Sequence, residues 1–262
     1  MPPVYRIRKL TSCYARLFWA ERHIESFEEE MRVFLDTNPF EIVREVNRDG
    51  TQYVYSVRET ARPPLRLSLI AGDFLHNLRS CLDHLVWQMA GRPMGTKAQR
   101  VEFPIFDDPT DYSKAVQKKL RGVPARAKAA IERLQPYHAS GAPFSFGPPL
   151  LSALYHLSNF EKHRHIPIVG VQPGHVYGTF EEMPLEQEFR ANVVVKDGTE
   201  VARFAFARPD VSVQMTVDWV WCFMVADLNV IVPISYLRGM FEFVRDHILP
   251  QFHWYDDSTV KG

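Results

Sequence analysis

The spacing of apolar residues divides the chain into helical and extended stretches. Apolar residues recur at three- and four-residue steps over residues 9–37, and this period predicts a long N-terminal helix. The same spacing predicts five further helices, which cover Leu67–Ala90, Tyr112–Leu120, Pro124–Leu134, Leu150–Arg164 and a C-terminal stretch that begins at Pro233.

Elsewhere the period is two, which is typical of strands with one buried face. Residues 40–46 and 51–57 alternate on either side of Asn47–Gly50, where glycine after aspartate suits a hairpin turn. A second hairpin is predicted around Lys196–Thr199, between strands at 188–195 and 200–207. A long alternating strand over residues 211–223 follows it.

Together these elements predict an α+β fold in which a helical bundle packs beside an antiparallel sheet, with the early hairpin joining the late strands. We expect one domain over residues 1–262. Its segments are a helical core at about 9–37, 65–91, 112–164 and 233–249, and strands at about 39–58 and 165–231.

Composition narrows the choice of partners and compartment. Lysine plus arginine equals aspartate plus glutamate, 31 against 31, so no global charge favours nucleic acid or anionic lipid. The stretch Trp219–Pro233 is the most apolar, but it is short and contains Asp227 and Asn229, so we expect no membrane span. The first ten residues contain no apolar segment typical of a secretory signal, and we expect a cytoplasmic protein.

The predicted helix around residues 71–90 has an unusual polar side. One side is apolar, and the other carries Asp73, His76, Asn77, Arg79, Ser80, Asp83 and His84. Solvated helix faces usually carry lysine and glutamate, which are missing here, whereas aspartate, asparagine and serine are poor residues inside a helix. This composition indicates a role beyond contact with water.

The helix at 150–164 repeats the pattern, because Ser152, His156, Asn159 and His163 recur at i, i+4, i+7 and i+11. If the two polar stripes face each other, they form a cleft that could transfer protons, since histidine titrates near neutral pH. The alternative is a structural network that only sets the register of the two helices.

The spacing of Arg79 and His84, R-x4-H on a helix, resembles the HEPN superfamily of helical-bundle ribonucleases. The resemblance covers only the helical part of the chain. It implies a metal-independent endoribonuclease of the toxin or defence type, which acts on RNA, needs no cofactor and often completes its cleft as a homodimer. His84 would transfer a proton and Arg79 would stabilise the phosphate, with the remaining polar residues of both helices in support.

Two other functions remain open from the residues alone. A metal-dependent hydrolase could draw ligands from His76, Asp83, His84, His156 and His163, although no HExxH spacing is present. A binding protein without chemistry could use the aromatic strand positions Tyr53, Tyr55, Trp219, Trp221 and Phe223.

Overall fold

A computed structural model of the chain describes residues 10–91, 101–138, 149–163, 168–190, 195–225 and 230–257. The α-helices in these ranges are α1 (Thr11–Leu35), α2 (Leu65–Met89), α3 (Pro109–Lys119), α4 (Ala125–Arg133), α5 (Leu150–His163), α6 (Ser235–Glu242) and α7 (His253–Asp257). The strands are β1 (Phe40–Val46), β2 (Gln52–Glu59), β3 (Ile168–Phe180), β4 (Glu186–Phe189), β5 (Glu200–Ala205), β6 (Val213–Val225) and β7 (Val230–Pro233). This confirms the predicted α+β class.

The C-terminal helix differs from the single helix that the pattern predicts. Its α-helical part ends at Glu242, and Phe243–Ile248 continue as a π-helix, in which the N–H of Leu249 bonds to the carbonyl of Val244 five residues earlier. Pro250 follows directly and has no N–H for an α-helical ladder. The wider turn keeps Val244 and Ile248 buried.

The two predicted hairpin turns form around their Asp-Gly pairs. Gly50 and Gly198 both adopt positive φ, at 71° and 81°, which residues with a Cβ rarely do. At the first turn the side-chain oxygen of Asn47 accepts hydrogen bonds from the N–H groups of Thr51 and Gln52. The first turn therefore joins β1 directly to β2, whereas the second lies just before β5 and bonds to Val57 of β2 through the N–H of Gly198 and the carbonyl of Thr199.

The described strands form two antiparallel sheets, ordered β1-β2-β5-β4 and β3-β6-β7. The expected pairing of the early hairpin with a late strand is confirmed, because β2 pairs with β5 and Tyr53 lies opposite Phe204. The expectation of one sheet was wrong, since β6 pairs with β3 and β7 instead. Alternation identifies the buried face of a strand but not the strand it pairs with.

The chain divides into two compact units. The first, which we call the helical unit, contains residues 1–27, 69–166 and 235–262. The second, the sheet unit, contains residues 28–68 and 167–234 and includes the end of α1, whose Phe34 packs edge-on against Trp221. The prediction of a single domain stays a prediction. No helix in the described ranges has the length and apolar character to cross a membrane.

Candidate functional site

The polar side of α2 lies in three different environments within the helical unit. Asn77 and Arg79 are buried. Ser80, Asp83 and His84 are half-buried, and Asp73 and His76 are exposed. The seven predicted site residues of this helix therefore do not share one solvent-facing surface, and each group has its own partners.

Arg79 binds a neighbouring backbone segment rather than a solvent-filled cleft. Its side chain is 8 % exposed, and Nη2 donates a 2.7 Å hydrogen bond to the carbonyl of Phe103. The same nitrogen lies 3.0 Å from Oδ1 of Asp83, which also accepts the N–H of Phe103 at 2.9 Å. Arg79 and Asp83 thus satisfy both polar backbone groups of Phe103, as a neighbouring strand would.

Gln135 continues this arrangement further along the same extended segment. Its Nε2 donates to the carbonyl of Pro104 at 2.9 Å, and its Oε1 accepts the N–H of Phe106. The side chains of Phe103 and Ile105 are buried, so their backbone needs internal partners. Sequence reasoning missed Gln135, because one glutamine in a loop carries no pattern.

His84 lies in a different place, at a pocket of about 400 Å³ in the helical unit. The described residues that line the pocket are Ser12, Asp83, His84, Trp87, Gln88 and Val101. Burial lowers the pKa of His84 below its ordinary value, the positive charge of Arg16 lowers this pKa further, and the carboxylate of Asp83 opposes both effects. The imidazole is therefore biased toward its neutral form.

The arginine whose charge acts on His84 is Arg16 of α1, which the motif does not contain. Its Nη1 donates a 3.2 Å hydrogen bond to Oδ1 of Asn77, and the amide nitrogen of Asn77 in turn donates to the carbonyl of Asp73. Asn77 thus positions Arg16. The periodicity of α1 could have indicated Arg16, because it lies at the edge of the buried stripe that contains Cys13 and Ala20.

The described polar side chains of α5 are not among the residues that line this pocket. Ser152 is buried, Asn159 is half-buried, and the side chain of His163 falls outside the described part of the structure. Nε2 of His156 lies 3.0 Å from Oδ2 of Asp107. The hydrogen bond from His156, together with one from Ser152, lowers the pKa of Asp107 against the opposing effect of burial.

The expected cleft between α2 and α5 stays a prediction, and the pocket at His84 has a different set of described lining residues. Those that line the pocket come from α1, from α2 and from Val101, and none comes from α5. Helical periodicity identifies the polar side of each helix, but the partner of that side depends on how the bundle packs. The predicted roles of Arg79 and His84 in catalysis stay predictions.

The pocket brings together a half-buried imidazole, a carboxylate, a hydroxyl and an amide, with an arginine charge close enough to affect the imidazole. Such a set can accept a proton and stabilise an anion. Among the described side chains, no group of three or more histidine, cysteine, aspartate or glutamate residues is placed to hold a metal ion.

Comparison with protein-family models, curated proteins and solved structures gives no match to this chain.

Proposed function

We propose that this protein is a metal-independent endoribonuclease whose proton-transferring group is His84. The observation that supports the proposal is that His84 lines an open pocket beside Asp83, with its pKa lowered by burial and by the charge of Arg16. A histidine that is neutral near neutral pH can act as a general base. Arg16 takes the electrostatic role that the R-x4-H motif would assign to Arg79.

In the proposed reaction, the 2′-hydroxyl of a ribose attacks the adjacent phosphorus while the imidazole of His84 accepts its proton. The bond from phosphorus to the 5′-oxygen breaks, and that oxygen takes a proton from water, while the hydroxide that remains takes the proton from the imidazolium of His84. The products are a 2′,3′-cyclic phosphate and a 5′-hydroxyl. Arg16 would stabilise the negative charge that develops on the phosphate oxygens. Because the substrate supplies its own nucleophile, this reaction needs no metal-activated water.

Asp83 would assist through its negative charge rather than by transferring the proton. Its Oδ1 is engaged by Arg79 and by the N–H of Phe103. The carboxylate is therefore fixed in place, and it opposes the lowering of the His84 pKa. A fixed carboxylate near a histidine stabilises the imidazolium that forms during the reaction.

The test is cleavage of a labelled single-stranded RNA by the full chain in EDTA, with His84→Gln compared against His76→Gln. Both histidines belong to α2, but His76 is exposed and does not line the pocket. They are eight positions apart in the sequence, about 12 Å along the helix axis. We expect wild type and His76→Gln to form cyclic-phosphate ends, and His84→Gln to be slower by roughly 100-fold or more.

The proposal fails if His84→Gln cuts as fast as wild type, or if wild type produces no cyclic-phosphate ends. Cutting that EDTA abolishes would support a metal-dependent hydrolase instead.

We also propose that the protein acts in the cytoplasm as a toxin or defence factor, and as a homodimer. Growth arrest on expression tests the first role, and the molar mass in solution tests the dimer.

A further inference from the structure

One edge of α1 leads away from the His84 pocket. Ser12, Arg16, Trp19 and His23 recur at i, i+4, i+7 and i+11, so they lie in one stripe with successive members about one turn, or 5.4 Å, apart. Ser12 lines the pocket, and the charge of Arg16 acts on His84. The next residue of the stripe, Trp19, lies about two turns beyond Ser12.

Trp19 is 55 % exposed, which is unusual for the largest apolar side chain. Its ring centroid lies 6.4 Å from that of His23, at an angle of 36°, and 5.8 Å from that of Phe18 in an edge-to-face arrangement. The guanidinium of Arg22 lies over Phe18, 5.3 Å from the ring centroid, and pairs with Glu25. The surface is therefore aromatic, with Arg16 in the same stripe and the Arg22–Glu25 ion pair beside Phe18.

Exposed aromatic rings beside arginines match the chemistry of a single nucleic-acid strand, which offers flat bases and a negative backbone. We propose that Trp19, supported by His23, stacks on a base next to the scissile phosphate, so that the protein selects single-stranded RNA. The inference rests on the proposed function. It adds a residue that determines specificity outside the pocket, and it follows from the continuity of this stripe with the pocket.

A base can stack on Trp19 only after leaving its own helical stack. In a duplex that step also breaks a base pair, whereas in a single strand it does not. Stacking on an aromatic side chain tolerates any base, because every base has a π face. We therefore expect weak sequence preference and a clear preference for single strands over duplexes.

The test measures binding of a fluorescently labelled 2′-O-methyl oligoribonucleotide, which cannot be cut by attack of a 2′-hydroxyl. Trp19→Leu keeps an apolar side chain and a good helix former but removes the aromatic face. We expect it to raise the Kd roughly 5- to 150-fold, the range that corresponds to loss of one stacked base. Trp19→Phe should recover most of the affinity. A duplex of the same sequence should bind weakly, and equally, to wild type and Trp19→Leu.

The matched control is Tyr177→Leu in the sheet unit. Tyr177 is 53 % exposed and stacks on His175 at 5.8 Å, so it forms a similar aromatic–histidine pair. This variant should bind the strand as wild type does. The inference is overturned if Trp19→Leu, folded as judged by circular dichroism, binds like wild type, or if Tyr177→Leu weakens binding equally.

These outcomes separate the inference from the proposed function. Cleavage by wild type together with unchanged binding and unchanged KM in Trp19→Leu would overturn the stacking role alone. Binding that depends on Trp19, without any cleavage, would overturn the ribonuclease proposal and leave a single-strand-binding surface.

Discussion

Replacing Arg79 with methionine separates a structural role of this arginine from a catalytic one. Methionine is similar in length and stays apolar, so the change removes the charge and the donors of Arg79 while limiting any cavity. It leaves the carbonyl of Phe103 without its 2.7 Å donor and Asp83 without its ion-pair partner. The variant therefore tests whether α2 holds residues 101–106 in place.

The expected loss of stability follows from these contacts. A hydrogen bond from a charged donor contributes about 1.5–3 kcal/mol, and a buried carbonyl left unpaired costs about 1–3 kcal/mol. Two effects reduce this sum. The Asp83 side chain is 30 % exposed, so water can hydrogen-bond to its carboxylate in place of Arg79. The Nη1 atom of Arg79 is buried without a hydrogen bond, and methionine removes that unfavourable burial. We expect a net loss of about 2 kcal/mol, below the roughly 3–5 kcal/mol for a fully buried pair.

Differential scanning fluorimetry measures this loss as a decrease in Tm of about 4–8 °C for a chain of this size. The control is Arg22→Met, which breaks an exposed ion pair with Glu25 and should cost less than about 1 kcal/mol. Adding Asp83→Asn to Arg79→Met should be less damaging than the sum of the single changes, because it removes the carboxylate charge that faced the arginine. A Tm equal to that of the control would refute the structural role. If RNA cleavage were also lost at unchanged Tm, Arg79 would act in the chemistry, as its motif predicts.

Two further predictions concern titration. Burial, and secondly the charge of Arg16, lower the pKa of His84, so its NMR titration midpoint should lie below 6.5 and should rise in Arg16→Gln. The neutral imidazole stabilises the fold fully above pH 6.5, and this stability is lost as the pH falls through the lowered pKa. His84→Gln should remove this pH dependence. His156→Gln should raise the pKa of Asp107 toward 3.8, because the hydrogen bond between the two side chains lowers this pKa. Since the Asp107 side chain is 50 % exposed, we expect the free energy of unfolding to fall by less than about 1 kcal/mol at pH 7, measured as a decrease in Tm. This decrease should disappear as the pH falls below 3.8. An unchanged His84 midpoint in Arg16→Gln, or an equal Tm difference at pH 7 and pH 3 for His156→Gln, would contradict them.

Much of the secondary structure is local, and for that reason the sequence predicts it. The apolar period places α2 within two residues of its observed ends, and the Asp-Gly pair before Thr51 forms the expected turn. The split of the C-terminal helix at Phe243 was not predicted, because a π-helix changes the hydrogen-bond partner without changing the apolar pattern much. The partner strands of β6 were missed for a similar reason, since strand pairing is not local.

The contacts of the candidate site depend on residues that are far apart in the sequence. The polar composition of α2 drew attention to this side of the helix, and the R-x4-H resemblance assigned Arg79 and His84 to one site. In the fold, Arg79 binds the backbone of Phe103 while His84 faces the pocket. The two residues lie about 140° apart around the helix, so a different neighbouring segment packs beside each of them.

The sequence by itself determined which stretches are helices and hairpins, and which face of each is polar, because these properties depend on residues within a few positions of each other. Only the tertiary structure decided that Arg16, more than sixty positions before His84, supplies the nearby charge, and that Arg79 and Gln135 satisfy a buried backbone. The physical reason is that a charge or a hydrogen bond acts over a few ångströms in space, and the packing of distant segments sets those distances.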